Sequence, residues 1–478
     1  MKRILFFILL SAFATSGCAR LPPVKSSVSP LTGMSELEPF GKGERVLIMA
    51  PHPDDETIGC AGIIQKALAA GAEVNVVYLT NGDYNQASFI VYEKRLTFRT
   101  SEFIHMGEVR HQEAVKAMKL LGLDESRLVF LGYPDFGTFA IFRYFWQSKR
   151  PYKSMLTRIS HVPYKRNLSF GAPYNAESIL ADIKEVLKRY RPDKIFVSHP
   201  SDTNVDHRAL YLFLQVALCD LKDQIPVPKV YPYLIHCPGW PVPRHYHPEL
   251  ELAPPKQYPA DGKIQWLKSG LSSGELGNKH RTTLCYKSQT EISAFYLLAF
   301  ARQNELFGNY PELVLNLKKE ISASAKAKDS PELSIKMDMA QDYGIDTPDY
   351  ILEQEKNKIR VSYEYDENFF YIKINKASGL SKKFGTLIYL FSYSYKTPFA
   401  QMPKICIMSK GRKFKISDAR NSLKAKGVEL SLSSRECIIK IPSGLVKDPD
   451  IILTSLRAYD TKPRVHSIGL RKIIIKRR

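Results

Sequence analysis

Two rhythms of apolar and polar positions divide this chain. Up to about residue 310, short apolar runs alternate with stretches of helical spacing; from Lys358 onward the period shortens to two. In the first part "RVLIMA" (Arg45 to Ala50) is apolar nearly throughout, as expected of a strand buried on both faces. Thr57 to Ala70 then sets Ile58, Ala61, Ile64 and Leu68 on one helical stripe, and Gly71 stands where a helix can end in a left-handed residue. "EVNVVYLTNGD" (Glu73 to Asp83) is a second buried strand running into turn residues. Strand, helix and strand in so short a span predict a βαβ unit, which requires parallel pairing.

The alternation recurs. Gln112 to Leu123 is an amphipathic helix followed by "RLVFLG"; Glu177 to Tyr190 is another, followed by "DKIFVS", "HPSDTNVDHRA" and an apolar helix over Ala209 to Leu221. Residues 136–175, aromatic and basic, fit no simple element and read as an insertion near the strand ends. The prediction for 44–310 is an α/β domain, a Rossmann-like layered parallel sheet with helices on both faces. Residues 311–350, with "LKKEISASAKAKDSPELS", read as a linker. The stretches "IRVSYEY", "FFYIKI", "TLIYLFSYSY", "KICIM", "VELSLS", "ECIIKIP" and "IGLRKIIIK" predict an all-β sandwich over 351–478. Tyr363, Tyr365, Tyr393 and Tyr395 recur there at period two and have three uses open to them: a sugar-stacking face, a packing surface against the first domain, or filling of the sandwich.

The N-terminus follows a third pattern. Lys2 and Arg3 precede an apolar run from Ile4 to Ala14 that is too short to span a bilayer, and small residues lead to Cys18. This predicts a signal peptide over 1–17. "SGC" resembles a bacterial lipobox, which implies a lipid on Cys18, a tether over 18–43 and a cell-envelope address, in the outer membrane or at the surface. The other six cysteines form no CxxC pair and are too dispersed for a disulfide-built scaffold. Net charge is +21, and an envelope address directs that charge to anionic lipid or acidic polysaccharide rather than nucleic acid.

Both densely charged stretches begin where a predicted parallel strand ends, and in open α/β sheets ligands bind beyond the carboxyl ends of strands. "PHPDDE" puts Asp54, Asp55 and Glu56 beside His52, an arrangement that repels itself unless protons, water or a cation compensate. The plain alternative is an acidic helix N-terminus. His52 and Asp55 can share one cation, and His207 of "HPSDTNVDH" is the further ligand. Two histidines and an aspartate leave one position open, as catalytic zinc requires; the donor types also admit iron, manganese or cobalt.

"PHPDDE" followed downstream by "DH" resembles the PIG-L/LmbE-like N-acetylglucosaminyl deacetylases. The resemblance extends from Glu44 to Gly308 through "RHQEAVKAMKLLG", "FLGYPD", "KHRTTLCYKSQ" and "FARQNELFG". It implies zinc on His52, Asp55 and His207, Asp54 as general base, and a sugar-linked acetamide as substrate. One position departs from it: where members carry a histidine three residues before the ligand histidine, this chain has Asn204. An asparagine amide can donate to an oxyanion but cannot act as a cationic acid, and His199 or His236 are the alternatives. Asp202 and Asp206 are candidates to orient the ligand histidines. Cys60 reads as core packing, Trp240 as either a sugar platform or loop packing, and Arg110 and Glu113 as either capping and ion-pair residues or substrate contacts. The competing function is a catalytically weak glycan-binding lipoprotein using the same pocket. A two-metal phosphoesterase lacks ligands.

Overall fold

The structure, a computed structural model, describes residues 34–84, 99–256, 258, 264–317, 332–335, 359–419, 421–423, 427–460 and 464–477. The expected signal peptide, Cys18 and most of the tether lie outside the described residues. The rest of the tether packs on the domain: Leu37 is buried, and Phe40 lies against Phe196 with the Lys194 ammonium over its ring.

Strands β1 (Arg45–Ala50), β2 (Glu73–Thr80), β3 (Leu128–Tyr133), β4 (Lys194–Ser198) and β5 (Lys229–Tyr233) form one sheet in the order β3-β2-β1-β4-β5. Every neighbouring pair is parallel. The apolar runs are continuous because both faces are covered. Val46 and Ile48 pack with α1 (Asp55–Ala69) and α2 (Thr100–Leu120), while Leu47 and Met49 join the core under α3 (Thr138–Tyr144), α4 (Ala176–Tyr190) and α5 (Val205–Asp220). This is the predicted doubly covered α/β domain.

Gly71, at φ +75°, ends α1: its N–H bonds Leu68 O and that of Ala72 bonds Ala67 O, satisfying carbonyls the helix leaves open. Helix α2 begins twelve residues before the predicted Gln112: Phe103 and Met106 are buried in its first turns, and Gly107, Arg110 and His111 continue the buried face without an apolar side chain. Gly107 is required there, since a Cβ would collide with the Tyr164 ring. Strand β5 was hidden by Pro232, which an edge strand tolerates. A small sheet of β6 (Gln265–Gly270) and β7 (Asn304–Asn309), with α6 (Ser273–Thr283) and α7 (Lys287–Leu297), closes the far side.

The C-terminal part contains two antiparallel-rich sheets. Within the expected linker, β8 (Leu313–Asn316) and β9 (Glu332–Ile335) are strands of these sheets. They are followed by β10 (Ile359–Tyr365), β11 (Phe369–Lys376), β12 (Gly385–Tyr393), β13 (Lys404–Lys410), β14 (Lys413–Asp418), β15 (Asn421–Ser422), β16 (Glu429–Leu432), β17 (Glu436–Pro442), β18 (Ile451–Asp460) and β19 (Arg464–Lys476). One sheet runs β9-β10-β11-β17-β16 and the other β15-β14-β13-β12-β18-β19-β8. Ile372, Ile388, Leu390, Ile407 and Ile439 fill the space between them.

The outer face of the larger sheet is also covered. Phe391, Tyr393, Leu453 and Leu470 belong to the same core as α3 and α5, with the Phe142 and Phe391 rings edge to face at 5.1 Å. Of the three uses open to the four tyrosines, three residues take the interior ones, filling the sandwich or packing on the first domain. Tyr363 and Tyr365 lie in the sandwich, and Tyr393 donates to Asp220 Oδ1 at 3.0 Å; Tyr395 alone is exposed. Cys60, Cys219, Cys237, Cys285, Cys406 and Cys437 are unpaired thiols.

Candidate metal centre and active site

Chain order reverses between β1 and β4, so the loops leaving their carboxyl ends diverge and open a crevice. The first loop carries His52 and Asp54 into α1, the second Asp202 and Asn204 into α5. Asp54, the residue before α1, is held at φ 120°, a region costly for any side chain but glycine. Its N–H donates to Glu56 Oε2 at 3.0 Å, and its carbonyl accepts from Thr57 and Ile58.

Asp55 Oδ2 lies 3.1 Å from His52 Nδ1 and 3.1 Å from His207 Nε2. Atoms bound at zinc distances to one tetrahedral ion are about 3.3 Å apart. Each imidazole turns its other nitrogen to a further carboxylate: His207 Nδ1 is 3.0 Å from Asp202, and His52 Nε2 is 3.1 Å from Asp135 and 3.3 Å from Asp206. Three sets of buried or partly buried side chains could each hold an ion here: His52, Asp55 and His207; Asp202, His207 and His236; and His52, Asp135 and Asp206. In the first, each histidine also has a further acid behind it, as metal-binding histidines commonly do. Asp206 is itself fixed by the N–H groups of Phe136 and Thr138 and by the Thr138 hydroxyl.

The electrostatics suit a cation. Burial opposes ionisation of Asp55, but His207 and His52 outweigh it and hold the carboxyl well below its usual range. Burial likewise opposes a charge on His207, yet Asp202 and Asp55 carry the imidazole up to about 9. A site that holds positive charge on buried imidazoles this firmly accommodates a divalent ion in the protons' place. Asp54 differs: burial pushes its carboxyl up, with the Arg110 guanidinium, 3.3 Å away, pulling the other way. Arg110 is anchored by Pro53 O at 2.6 Å and Gly82 O at 3.1 Å; a Cβ on Gly82 would strike it.

These groups face a cavity of about 390 Å³ lined by His52, Asp54, Asp55, Tyr84, Arg110, Asp135, Phe136, Asn204, His236 and Tyr296, among others. Carboxylates, imidazoles, a guanidinium and an amide thus share one cavity.

A profile of the family described as "PIG-L: GlcNAc-PI de-N-acetylase" matches residues 47–218. Those residues are a PIG-L domain. The chain is 35% identical over 106 residues to a 1D-myo-inositol 2-acetamido-2-deoxy-alpha-D-glucopyranoside deacetylase of Mycobacterium sp. (strain KMS), a match covering 22% of this chain and 30% of that protein. It is 34% identical over 87 residues to the diacetylchitobiose deacetylase of Thermococcus kodakarensis, covering 18% and 31%. The chain thus spans under a third of the length of these curated relatives. The solved N,N'-diacetylchitobiose deacetylase from Pyrococcus horikoshii aligns at 17% identity and TM-score 0.30, over 56% of this chain and 82% of that one.

Within the PIG-L domain the structure brings His52, Asp54, Asp55, Asn204 and His207 together. Asn204 caps α5, its Oδ1 accepting the Asp206 N–H at 2.8 Å, which leaves the amide NH₂ as the donor end of a side chain lining the cavity. His236 also lines it, its ring 4.7 Å from that of His207. His199 does not join them. It is fully buried beside Trp266, Tyr258 and Tyr310, its Nδ1 accepting the Ser201 N–H at 3.0 Å, and it lines no part of the cavity. Burial drops its imidazole to about 3.

Asp135 was overlooked, although it ends the "FLGYPD" that follows a predicted strand, as His52 and Asp202 do. Trp240 is buried, its indole N–H bonding Ala253 O at 2.8 Å, and Glu113 caps α7 through the Ser288 N–H and hydroxyl. The downstream segments brace the motif from outside. Lys279 and Glu305 form a buried pair at 2.7 Å, Glu305 also accepts the N–H groups of Gly62 and Ile63, and Tyr286 donates to Glu56.

Proposed function

We propose that this protein hydrolyses the acetamide of an N-acetylated sugar or glycan, with a divalent ion held by His52, Asp55 and His207. The observation that carries the reading is Asp54, a strained, non-ligating carboxylate in the same cavity as the three-residue cation site. A pure binding site has no use for such a base. The names of the curated relatives support an acetamido sugar as substrate. Imidazole and carboxylate donors with an open position favour zinc. When bound, the ion supplies a Lewis acid for the amide carbonyl and acidifies a water.

The protein's own groups do the rest. Asp54 takes a proton from the attacking water and returns it to the amide nitrogen as the C–N bond breaks, releasing acetate and the free amine. Arg110 holds the Asp54 carboxylate in position. Asp202 fixes the His207 tautomer by accepting from Nδ1. The Asn204 amide and the His236 ring supply the polar contacts for the oxygen that gains charge.

The envelope address remains part of the proposal. It is supported by the basic start, the apolar run and "SGC", which together assign a lipid anchor to Cys18.

The test is acetate release from a panel of N-acetylated hexosaminyl glycans, with Asp54→Asn beside the wild type. The variant should keep its metal and lose about 10²- to 10⁴-fold in turnover. Undiminished turnover in Asp54→Asn would remove the base, and silence of the wild type across the panel would favour the glycan-binding alternative.

A further inference from the structure

A second cavity, of about 290 Å³, lies between the PIG-L domain and the outer face of the larger sandwich sheet. Period two along the strands explains that wall. Ile388, Leu456 and Ala458 face the sandwich interior, so Tyr389 and Arg457 face outward. The opposite wall is α3 and the start of α5. Phe139 and Arg143, one helical turn apart, stand on the same side of α3.

Three guanidiniums line this cleft: Arg143, Arg208 and Arg457. Arg143 donates to the Tyr389 hydroxyl at 3.1 Å and lies 4.7 Å over its ring, and Arg208 lies over the Phe139 ring at 5.6 Å. Among the described lining residues Asp202 is the one carboxylate, and it is spent on His207 Nδ1 and the N–H groups of Ile235 and His236. The lining thus carries three guanidiniums and one carboxylate beside the Phe139 and Tyr389 rings. Each guanidinium carries five N–H donors in a planar fork that matches a carboxylate or phosphate.

The cleft is not remote from the chemistry. Phe136 lines both it and the metal cavity, half exposed (50%) and held at φ +56°, with its N–H pinned by Asp206. A strained residue displaying an aromatic ring between two cavities is where a sugar chain can cross from one to the other.

We propose that this cleft binds an anionic oxyacid group, the carboxylate of an acidic sugar or a phosphate, on a unit neighbouring the acetamido sugar. The link to an acetamido sugar rests on the deacetylase reading; the anion site itself does not. The sandwich thereby supplies one wall of a substrate site and makes the enzyme selective for acidic glycans.

The experiment titrates the full chain with three probes lacking an acetamide: inorganic phosphate, a glucuronate-containing disaccharide and its neutral glucose counterpart. At least one anion should bind roughly tenfold or more tightly than the neutral disaccharide and weaken with added salt, and the preferred anion identifies the source. Arg143→Gln combined with Arg457→Gln should weaken it by roughly tenfold or more. Equal binding of acidic and neutral disaccharides with no phosphate binding overturns the proposal. So does undiminished anion binding in a double variant that melts like the wild type. If the double variant does not fold, Arg457→Gln alone is read in the same way. Because no probe can be deacetylated, failure here is separate from failure of the acetate assay.

Discussion

At the carboxyl ends of β1 and β4 the chain buries His52, Asp54, Asp55, Asp202, Asp206 and His207 within a few ångströms of one another. Between the two sheets of the sandwich it buries Ile372, Ile388, Leu390, Ile407 and Ile439. Both regions are buried, yet burial does opposite work in them. In the sandwich each apolar side chain gains by leaving water, and packing alone specifies the arrangement. At the strand ends burial costs free energy at every charge, and the lattice of imidazole–carboxylate contacts offsets it. The sandwich is packed against the domain that carries the strand ends, since the face of β12 and β18 turned from the sandwich core is part of the core beneath α3 and α5. Stability and chemistry are thus kept apart in the molecule, and substitutions should separate them.

The largest expected effect on stability comes from the sandwich. Ile388 is fully buried, and Ile388→Ala leaves a cavity costing about 2–5 kcal/mol. Denaturant titration should show the loss, while metal content per folded chain stays that of the wild type. Metal loss from the folded variant would show that the two regions are not separable. Because Phe391, Tyr393 and Leu470 also pack on the PIG-L domain, that domain should unfold in the same transition.

Asp202→Asn addresses the other region. Asp202 touches no solvent and lies 3.0 Å from His207 Nδ1. Removing an acid that orients a ligand histidine typically weakens metal binding by about 10- to 100-fold. Competition with a chelator measures this directly. The unfolding midpoint of the metal-free protein should move far less than in Ile388→Ala. A large fall in metal-free stability with unchanged metal affinity would make Asp202 a structural acid.

The strand-end residues were legible because parallel strands announce themselves as apolar runs, and a dense cluster of charge directly after such a run has few structural uses. His52, Asp55 and His207 were singled out that way, whereas the role of Asp54 and the attention to Asn204 came from the family resemblance. Arg110 reaches Asp54 from the middle of a helix, on a face where a charged side chain follows Phe103 and Met106, so its neighbourhood follows from the fold and not from local spacing. The sandwich was legible where strands alternate. β18 was missed because "IILTSLRAYD" does not: Ile452, Leu456 and Ala458 enter the sandwich while Ile451 and Leu453 enter the PIG-L core. The same two-sided burial puts Tyr393 on the packing surface against the first domain, one of the three uses left open for it.

His199 tests where the boundary between the two regions runs. Its position directly after β4 resembles that of a catalytic residue, but its surroundings are those of a core, with Trp266 stacked at 5.9 Å and Tyr310 at 5.4 Å. Burial lowers the imidazole from 6.5 to about 3 in the folded protein, whereas the unfolded chain titrates near its ordinary value. Between those two values the unfolded state binds a proton that the folded state refuses, so stability rises with pH across that window and is fully present above about 6.5. The contribution approaches the limit for one proton, about 1.4 kcal/mol per pH unit. His199→Gln removes the titrating group and keeps an oxygen to accept the Ser201 N–H. Its stability should therefore depend less steeply on pH than the wild type's between about 3 and 6.5, and turnover at neutral pH should be nearly unchanged. If the two pH slopes coincide and turnover collapses instead, His199 belongs with the metal centre.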